Sequence, residues 1–327
     1  MFTKLSVDQA LLKAKSYVMK NELTEAQKLY RSILLAFPKN KRAQEGLAAL
    51  EKLKRYNVKR TPPQDTVKKL INLYNQGQFT VIVEQGQVLT NQYPEAFTIW
   101  NILGAANLGL RQVEQASEDF KKVTELNPNY ADGFNNLGVS LKEQGKLDEA
   151  IEAYKKVILL KPDYAEAYNN MGIALKSLDK INEAIDAYNK AISLKPDYAE
   201  AYNNIGNVLK DQGKLDEAID AYNKAILLKP DYAEAYSNKG NALKDQGNLD
   251  EAINAYNKAI SLKPDYAEAY NNMGIALKGQ DKLYEAMEAY NKSIELKPDY
   301  AEAYNNMGDT LKDQGKLDEA IEAYNKA

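Results

Sequence analysis

The side chains in this 327-residue chain whose type and spacing best suit chemistry are amides. Asn pairs stand at Asn135–Asn136, Asn169–Asn170, Asn203–Asn204, Asn271–Asn272 and Asn305–Asn306, and Ser237–Asn238 holds the same place between them. Neighbouring pairs are 34 residues apart. An amide offers donors and an acceptor without charge. A column of them could hydrogen-bond the main chain of an extended peptide without reading its side chains, which is recognition rather than catalysis. Two other readings stand beside this one. The stretch "KPDYAEAYNNMGIALK" at Lys161–Lys176 returns letter for letter at Lys263–Lys278, so duplication alone could repeat the Asn. One Asn of each pair could also serve only to bond a neighbouring helix. The fifth-position column (Asn135, Asn169, Asn203, Asn271, Asn305) leaves these readings level, and the sixth (Asn136, Asn170, Asn204, Asn238, Asn272, Asn306) favours the peptide.

Other chemistry finds little material. There is no Cys and no His, so disulfides and thiolate metal sites are excluded and the commonest general base is missing. Lys, Tyr and carboxylates remain, but they form no catalytic constellation. Asp148 and Glu149 are adjacent at a helix start, where they favour the helix dipole. No Gly-rich phosphate loop follows a strand. The chain reads as a non-enzyme without cofactor or metal.

Charge and hydropathy narrow the partners. Residues 1–62 carry 14 basic and 5 acidic side chains, a net of +9, and the remainder carries a net of −12. The basic end reads as solvated surface, and the acidic remainder opposes nucleic acid. The 23 Tyr recur at places such as Tyr154, Tyr164 and Tyr168, with the helical spacing of packing residues. No run of 18 apolar residues offers a membrane span, and "MFTKLSVDQALLKAKSYVMKNEL" lacks the apolar core of a secretory signal. A cytoplasmic protein is the expectation.

The amides must be positioned by a repeated element. Prolines at 94, 128, 162, 196, 230, 264 and 298 recur every 34 residues. Units then begin at Phe97, Ala131, Ala165, Ala199, Ala233, Ala267 and Ala301, with a weaker copy at Pro63–Ala96 and another at Val7–Asn40. Each unit predicts two helices. In Ala131–Tyr164 the first runs to about Gln144, where Gly145 ends it in left-handed geometry. The second runs from about Leu147 to Leu160 and stops at Pro162. Asp163 is the expected N-cap of the next unit, with Glu166 as its capping-box partner. Phe134, Leu137, Gly138 and Leu141 share one face, and Leu147, Ala150, Ile151, Tyr154, Val157 and Ile158 form the stripe that meets it. One such hairpin has too little core alone, so hairpins must stack.

The period, with Trp100, Leu103, Gly104, Ala116, Phe120 and Pro128 at their offsets, resembles the tetratricopeptide repeat family from Val7 to Ala327 apart from an insert at Lys41–Pro62. Lys239, where other copies carry Leu, Met or Ile, and Gly86, where an aromatic is usual, depart from the pattern locally. The resemblance implies an all-α, right-handed superhelical α-solenoid whose first helices line a concave groove that binds proteins or peptides. Second, fifth, sixth, ninth and thirteenth positions of each unit would face that groove. The sixth-position column resembles the asparagine ladder of O-linked N-acetylglucosamine transferases, which grips the substrate backbone. Second-position carboxylates (Asp132, Glu166, Glu200, Glu234, Glu268, Glu302) and twelfth-position lysines (Lys142, Lys176, Lys210, Lys244, Lys278, Lys312) read as a solvated, salt-bridged face. The carboxylates would repel a peptide's terminal carboxylate, which disfavours the chaperone-clamp mode of the family.

The expected organisation is a hairpin over 1–40, a basic helical insert over 41–62 and a continuous array over 63–327. In the insert, Leu47, Leu50, Leu53 and Tyr56 share one face, as in a spacer helix packed on its neighbours. The last unit reads as a repeat cut short at Ala327, with Ile321 and Tyr324 available for self-association. The expected function is a peptide-binding scaffold. The alternative is the substrate-recruiting arm of a larger transferase, a glycosyl- or sulfotransferase, with its catalytic domain beyond residue 327.

Overall fold

The computed structural model describes residues 6–20 and 22–327; the side chains of 54–60, Tyr56 of the expected insert face among them, lie outside that description. Among the described residues every regular element is an α-helix. Contacts divide the chain into two compact parts at Ser140–Leu141, inside one helix.

The first part opens with α1 (Val7–Met19), α2 (Leu23–Ala36) and α3 (Lys41–Arg60). α1 begins with a reciprocal capping box between Ser6 and Gln9. The insert is α3, and it packs on the first hairpin. Leu50, 1% exposed, joins Ala10, Leu11, Ala14, Ala26, Tyr30, Ile33 and Ala43 in one core, with Leu47 against it, while Leu53 lies at its exposed margin. Next come α4 (Gln64–Asn75), α5 (Phe79–Gln92), α6 (Phe97–Gly109), α7 (Val113–Leu126) and the first residues of α8 (Ala131–Glu143). Gly86 of α5 accommodates Leu103 of α6, which a Cβ there would meet at 3.1 Å.

The second part takes up the end of α8, then α9 (Leu147–Leu160), α10 (Ala165–Ser177), α11 (Ile181–Leu194), α12 (Ala199–Asp211), α13 (Leu215–Leu228), α14 (Ala233–Asp245), α15 (Leu249–Leu262), α16 (Ala267–Gly279), α17 (Leu283–Leu296), α18 (Ala301–Asp313) and α19 (Leu317–Tyr324). Each helix from α10 onward packs on the next in sequence, so hairpins and their junctions follow the chain. The key to each hairpin is one small residue opposite one large one. A Cβ on Gly206 of α12 would sit 2.6 Å from the Tyr222 ring of α13, so the ring occupies the space a side chain would need. Tyr188, Tyr222, Tyr256 and Tyr290 are buried this way, each ring contributing on the order of 2–3 kcal/mol by burial. Lys239 on α14 is half-buried, and Ala235, Gly240, Ala242 and Leu243 around it stay buried.

The turn inside each hairpin needs one left-handed residue. Gly145, Gly213, Gly247 and Gly315 supply it with φ between 74° and 84°. Arg111, Asp179 and Asp281 adopt φ of 59–61° at the same place without being glycine.

The expected Asp163 cap is not formed. The N-cap of α10 is Tyr164, and no side chain accepts there. Pro162 starts a turn closed by the Tyr164 N–H on the Lys161 carbonyl at 3.1 Å, which leaves Asp163 one residue early and exposed. The Tyr164 carbonyl accepts from the Ala167 N–H at 3.1 Å instead.

Candidate functional site

The two Asn of each pair have different surroundings. At the fifth position Asn169, Asn203, Ser237 and Asn271 are buried, Asn135 is half-buried and Asn305 is exposed. At the sixth, Asn136, Asn170, Asn204, Asn238, Asn272 and Asn306 are all half-buried. A hydrogen bond joins the two columns across neighbouring units. In the second part Asn204 Nδ2 donates to Asn169 Oδ1 at 3.0 Å, Asn238 to Asn203 at 3.0 Å and Asn306 to Asn271 at 2.9 Å. In the first part Asn136 donates to Asn101 of α6 at 3.2 Å. The sixth-position amide thereby spends one N–H on its neighbour. It keeps the chemical capacity of its second N–H and its carbonyl oxygen.

The fifth-position amide is used on both sides. Asn169 accepts from Asn204 and hydrogen-bonds the Tyr198 hydroxyl. Burial, then the charges of Glu166 and Glu200, push Tyr198 up to about 12, with the Asn169 bond working the other way. Asn271 likewise accepts from Asn306 and donates to Glu302 at 3.3 Å. Ser237 breaks the amide column, and its hydroxyl serves Tyr266. The polar ninth-position residues are anchored to the second helix of their own unit. Asn207 and Asn241 accept from the Tyr222 and Tyr256 hydroxyls at 2.8 Å, and Asp309 accepts from Tyr324 at 2.7 Å.

Four of the six second-position carboxylates meet a lysine that the repeat pattern alone does not single out. Lys195 reaches Glu166 at 3.4 Å, Lys229 reaches Glu200 at 3.1 Å, Lys263 reaches Glu234 at 3.6 Å and Lys297 reaches Glu268 at 3.7 Å. The same ammonium groups lie over Tyr198, Tyr232, Tyr266 and Tyr300 at 4.5–4.6 Å from the ring centres. The signal was present in the recurring Lys-Pro-Asp-Tyr, 29 residues beyond each Glu. Burial opposes ionisation of Glu200, but its hydrogen bonds and the charges of Lys229 and Lys195 hold its carboxyl below the usual range. Five of the six twelfth-position lysines are paired too. Lys176 meets Asp211 at 2.8 Å, Lys278 meets Asp313 at 2.9 Å, and Lys142, Lys210 and Lys244 each meet the acidic residue that follows. These positions therefore carry ion pairs and amides.

Among the described residues no group of His, Cys, Asp and Glu is arranged to hold a metal ion, and no helix is long and apolar enough to cross a membrane.

No curated protein matches the chain. Among solved structures it is similar to the APC/C hetero-tetramer Cut9-Hcn1, with a TM-score of 0.64 and 20% identity over 94% of this chain and 56% of that one. The chain thus spans about half the length of that relative. It is also similar to pilF of Pseudomonas aeruginosa, with a TM-score of 0.55 and 20% identity over 63% of this chain and 94% of the other. YrrB, described as a TPR protein with an unusual peptide-binding site, matches at a TM-score of 0.45 and 26% identity over 57% of this chain and 96% of its own. At the level of sequence, a family profile described as TPR repeat matches residues 140–179, 174–213, 206–247, 240–281 and 280–315. Two described as tetratricopeptide repeat match 97–130 and 120–152. With its helix pairs, its glycine-to-tyrosine packing and these matches, the chain belongs to the tetratricopeptide repeat family, an interaction scaffold.

Proposed function

We propose that the second part of the chain binds an extended peptide or protein segment along its sixth-position amides, Asn170, Asn204, Asn238, Asn272 and Asn306, and that Asn136 offers the same chemistry within the first part. The observation that carries this reading is the repeated bond from the sixth-position Asn136, Asn204, Asn238 and Asn306 to the fifth-position Asn one unit earlier. It fixes the amide plane, so the remaining N–H and carbonyl are preorganised for a peptide main chain. The fifth-position residues Asn135, Asn169, Asn203, Asn271 and Asn305 act in this reading chiefly as holders of that plane. The paired charges support recognition of main chain over charged side chains.

The test replaces Asn204, Asn238 and Asn306 together with Ala. Peptides selected on the wild-type array by display should bind the variant at least tenfold more weakly at a temperature where it remains folded. The melting temperature should fall moderately, because Asn169, Asn203 and Asn271 each lose the donor to a buried oxygen. Binding should also be insensitive to salt between about 50 and 300 mM. Unchanged binding with a collapsed melting temperature would reverse the reading and make the columns structural welds.

The similarity of the amide column to that of sugar-transferring enzymes supports a second use of the same face, as the substrate-recruiting arm of a transferase. Sequencing the gene past the codon for Ala327 tests it directly. Self-association belongs to the proposal as well. Leu317 and Ile321 of α19 are exposed, whereas the corresponding Leu249 and Ile253 of α15 pack into a core. Sedimentation of wild type against Ile321→Glu should show a weak association that the variant lacks; identical monomers would remove it.

A further inference from the structure

Asn107 on α6 and Asp119 on α7 occupy places where other hairpins carry Leu and Ala. The counterparts Leu175 and Ala187, Leu243 and Ala255, Leu277 and Ala289, and Leu311 and Ala323 are buried apolar contacts. In α6–α7 both members of the contact are polar and equally deep. Asn107 is 4% exposed and Asp119 is 8% exposed, and Asn107 Nδ2 donates to Asp119 Oδ2 at 2.7 Å. Asn107 Oδ1 is buried and has no hydrogen-bond partner. An unpaired carbonyl at that depth is costly, and a carboxylate has no hydrogen to offer it. A carboxylic acid has one.

We propose that Asn107 and Asp119 form a proton-operated clasp that tightens the α6–α7 hairpin in mild acid. With a proton on the carboxyl, the acid donates to Asn107 Oδ1 while the amide donates to the other carboxyl oxygen, and both buried groups are satisfied. Loss of the proton returns a buried carboxylate with one bond and an orphaned amide oxygen, and α6 loosens from α7.

The surroundings favour the protonated form. α6 carries no ionisable side chain over its length. The charged residues of the neighbouring elements are Asp65, Lys68 and Lys69 on α4, Glu84 on α5, Arg111 in the turn, Asp132, Lys142 and Glu143 on α8, and Glu114, Glu118, Lys121, Lys122 and Glu125 on α7 itself. Of the charges among the described residues, Glu118 is the one that acts on Asp119, and it repels the carboxylate. Burial is the larger cause, and together they lift Asp119 to about 6 against the Asn107 bond. A folded value above the unfolded one places the stabilisation below about pH 4, and it is lost as pH rises through about 6. α6 also carries Asn101, which holds the Asn136 amide, so the clasp reaches the candidate face.

Hydrogen exchange of the full chain between pH 4.5 and 7.5, corrected for intrinsic rates, tests this without any ligand. Protection of residues 97–126 should fall by about 25-fold relative to residues 233–262 across this range, because part of the loss already lies below pH 4.5. Asp119→Asn should abolish the relative slope. The double variant N107L/D119A, which installs the pair used elsewhere, should abolish it and stay strongly protected. A parallel slope in the two wild-type segments, or a slope that persists in Asp119→Asn, would overturn the proposal. Should the double variant fail to fold, a carbon-13 titration of the wild-type Asp119 carboxyl decides, with a midpoint near 6 expected and one near 4 fatal.

Discussion

The hairpins α6–α7 and α14–α15 place the same helices around opposite kinds of centre. In α14–α15 the middle is Leu243 against Ala255, and the polar contact lies beside it, where the Tyr256 hydroxyl donates to Asn241 at 2.8 Å. In α6–α7 the aromatic is Phe120, with no hydroxyl to place, and the polar contact has moved into the middle as Asn107 and Asp119. The difference teaches that this packing tolerates a polar pair at either depth, provided its members find each other. It also shows where the tolerance ends. The deeper pair leaves one oxygen without a partner, while the shallower one leaves Asn241 half-buried, beside its hydroxyl donor.

The sharpest way to break the comparison is Tyr256→Ala. It removes a fully buried ring and should cost about 3–5 kcal/mol, read as a loss of the α14–α15 region in denaturant unfolding. Asp119→Ala should cost about 2–3 kcal/mol by stranding a buried amide, and adding Asn107→Leu should recover most of it. A double-mutant cycle measures that coupling, and additive costs would mean the two side chains do not act together. A smaller effect of opposite sign is expected at the turns. Asp179→Gly and Asp281→Gly place glycine where φ is near 60°, and each should stabilise by about 0.5–1 kcal/mol in thermal unfolding. The least effect belongs to Tyr256→Phe, about 1 kcal/mol or less, which deletes only the bond to Asn241.

Much of this architecture was legible in the sequence. The helix pairs, the left-handed Gly145 and the core stripe follow from local periodicity and turn chemistry, which need no knowledge of the neighbouring unit. The features that escaped are those made between units or across a hairpin. A helical wheel separates Asn203 from Asn204 by only one residue's rotation, and it cannot tell that one amide is buried while the other donates to Asn169. The Asp163 cap failed because the rigid turn at Pro162 sets the helix start one residue later. The lysine of Lys-Pro-Asp-Tyr was invisible as a partner because its glutamate lies 29 residues away. The Asn107–Asp119 pair was passed over while Trp100, Gly104 and Phe120 around it matched the family pattern. Its signal was simply an Asn and an Asp where every later unit has Leu and Ala.

The amide bonds that tie one unit to the next can also be regarded as stitches along a seam, with Ser237 a dropped stitch. On either side of it, Asn238 is held to Asn203 and Asn306 to Asn271, but the serine offers no amide oxygen to Asn272. Pulled along its length, the second part of the chain should therefore part first between α14 and α16. Ser237→Asn should move the first rip in a force-extension trace elsewhere. A seam with one weak place yields in a defined order, which lets such an array lengthen under load without losing its other hairpins.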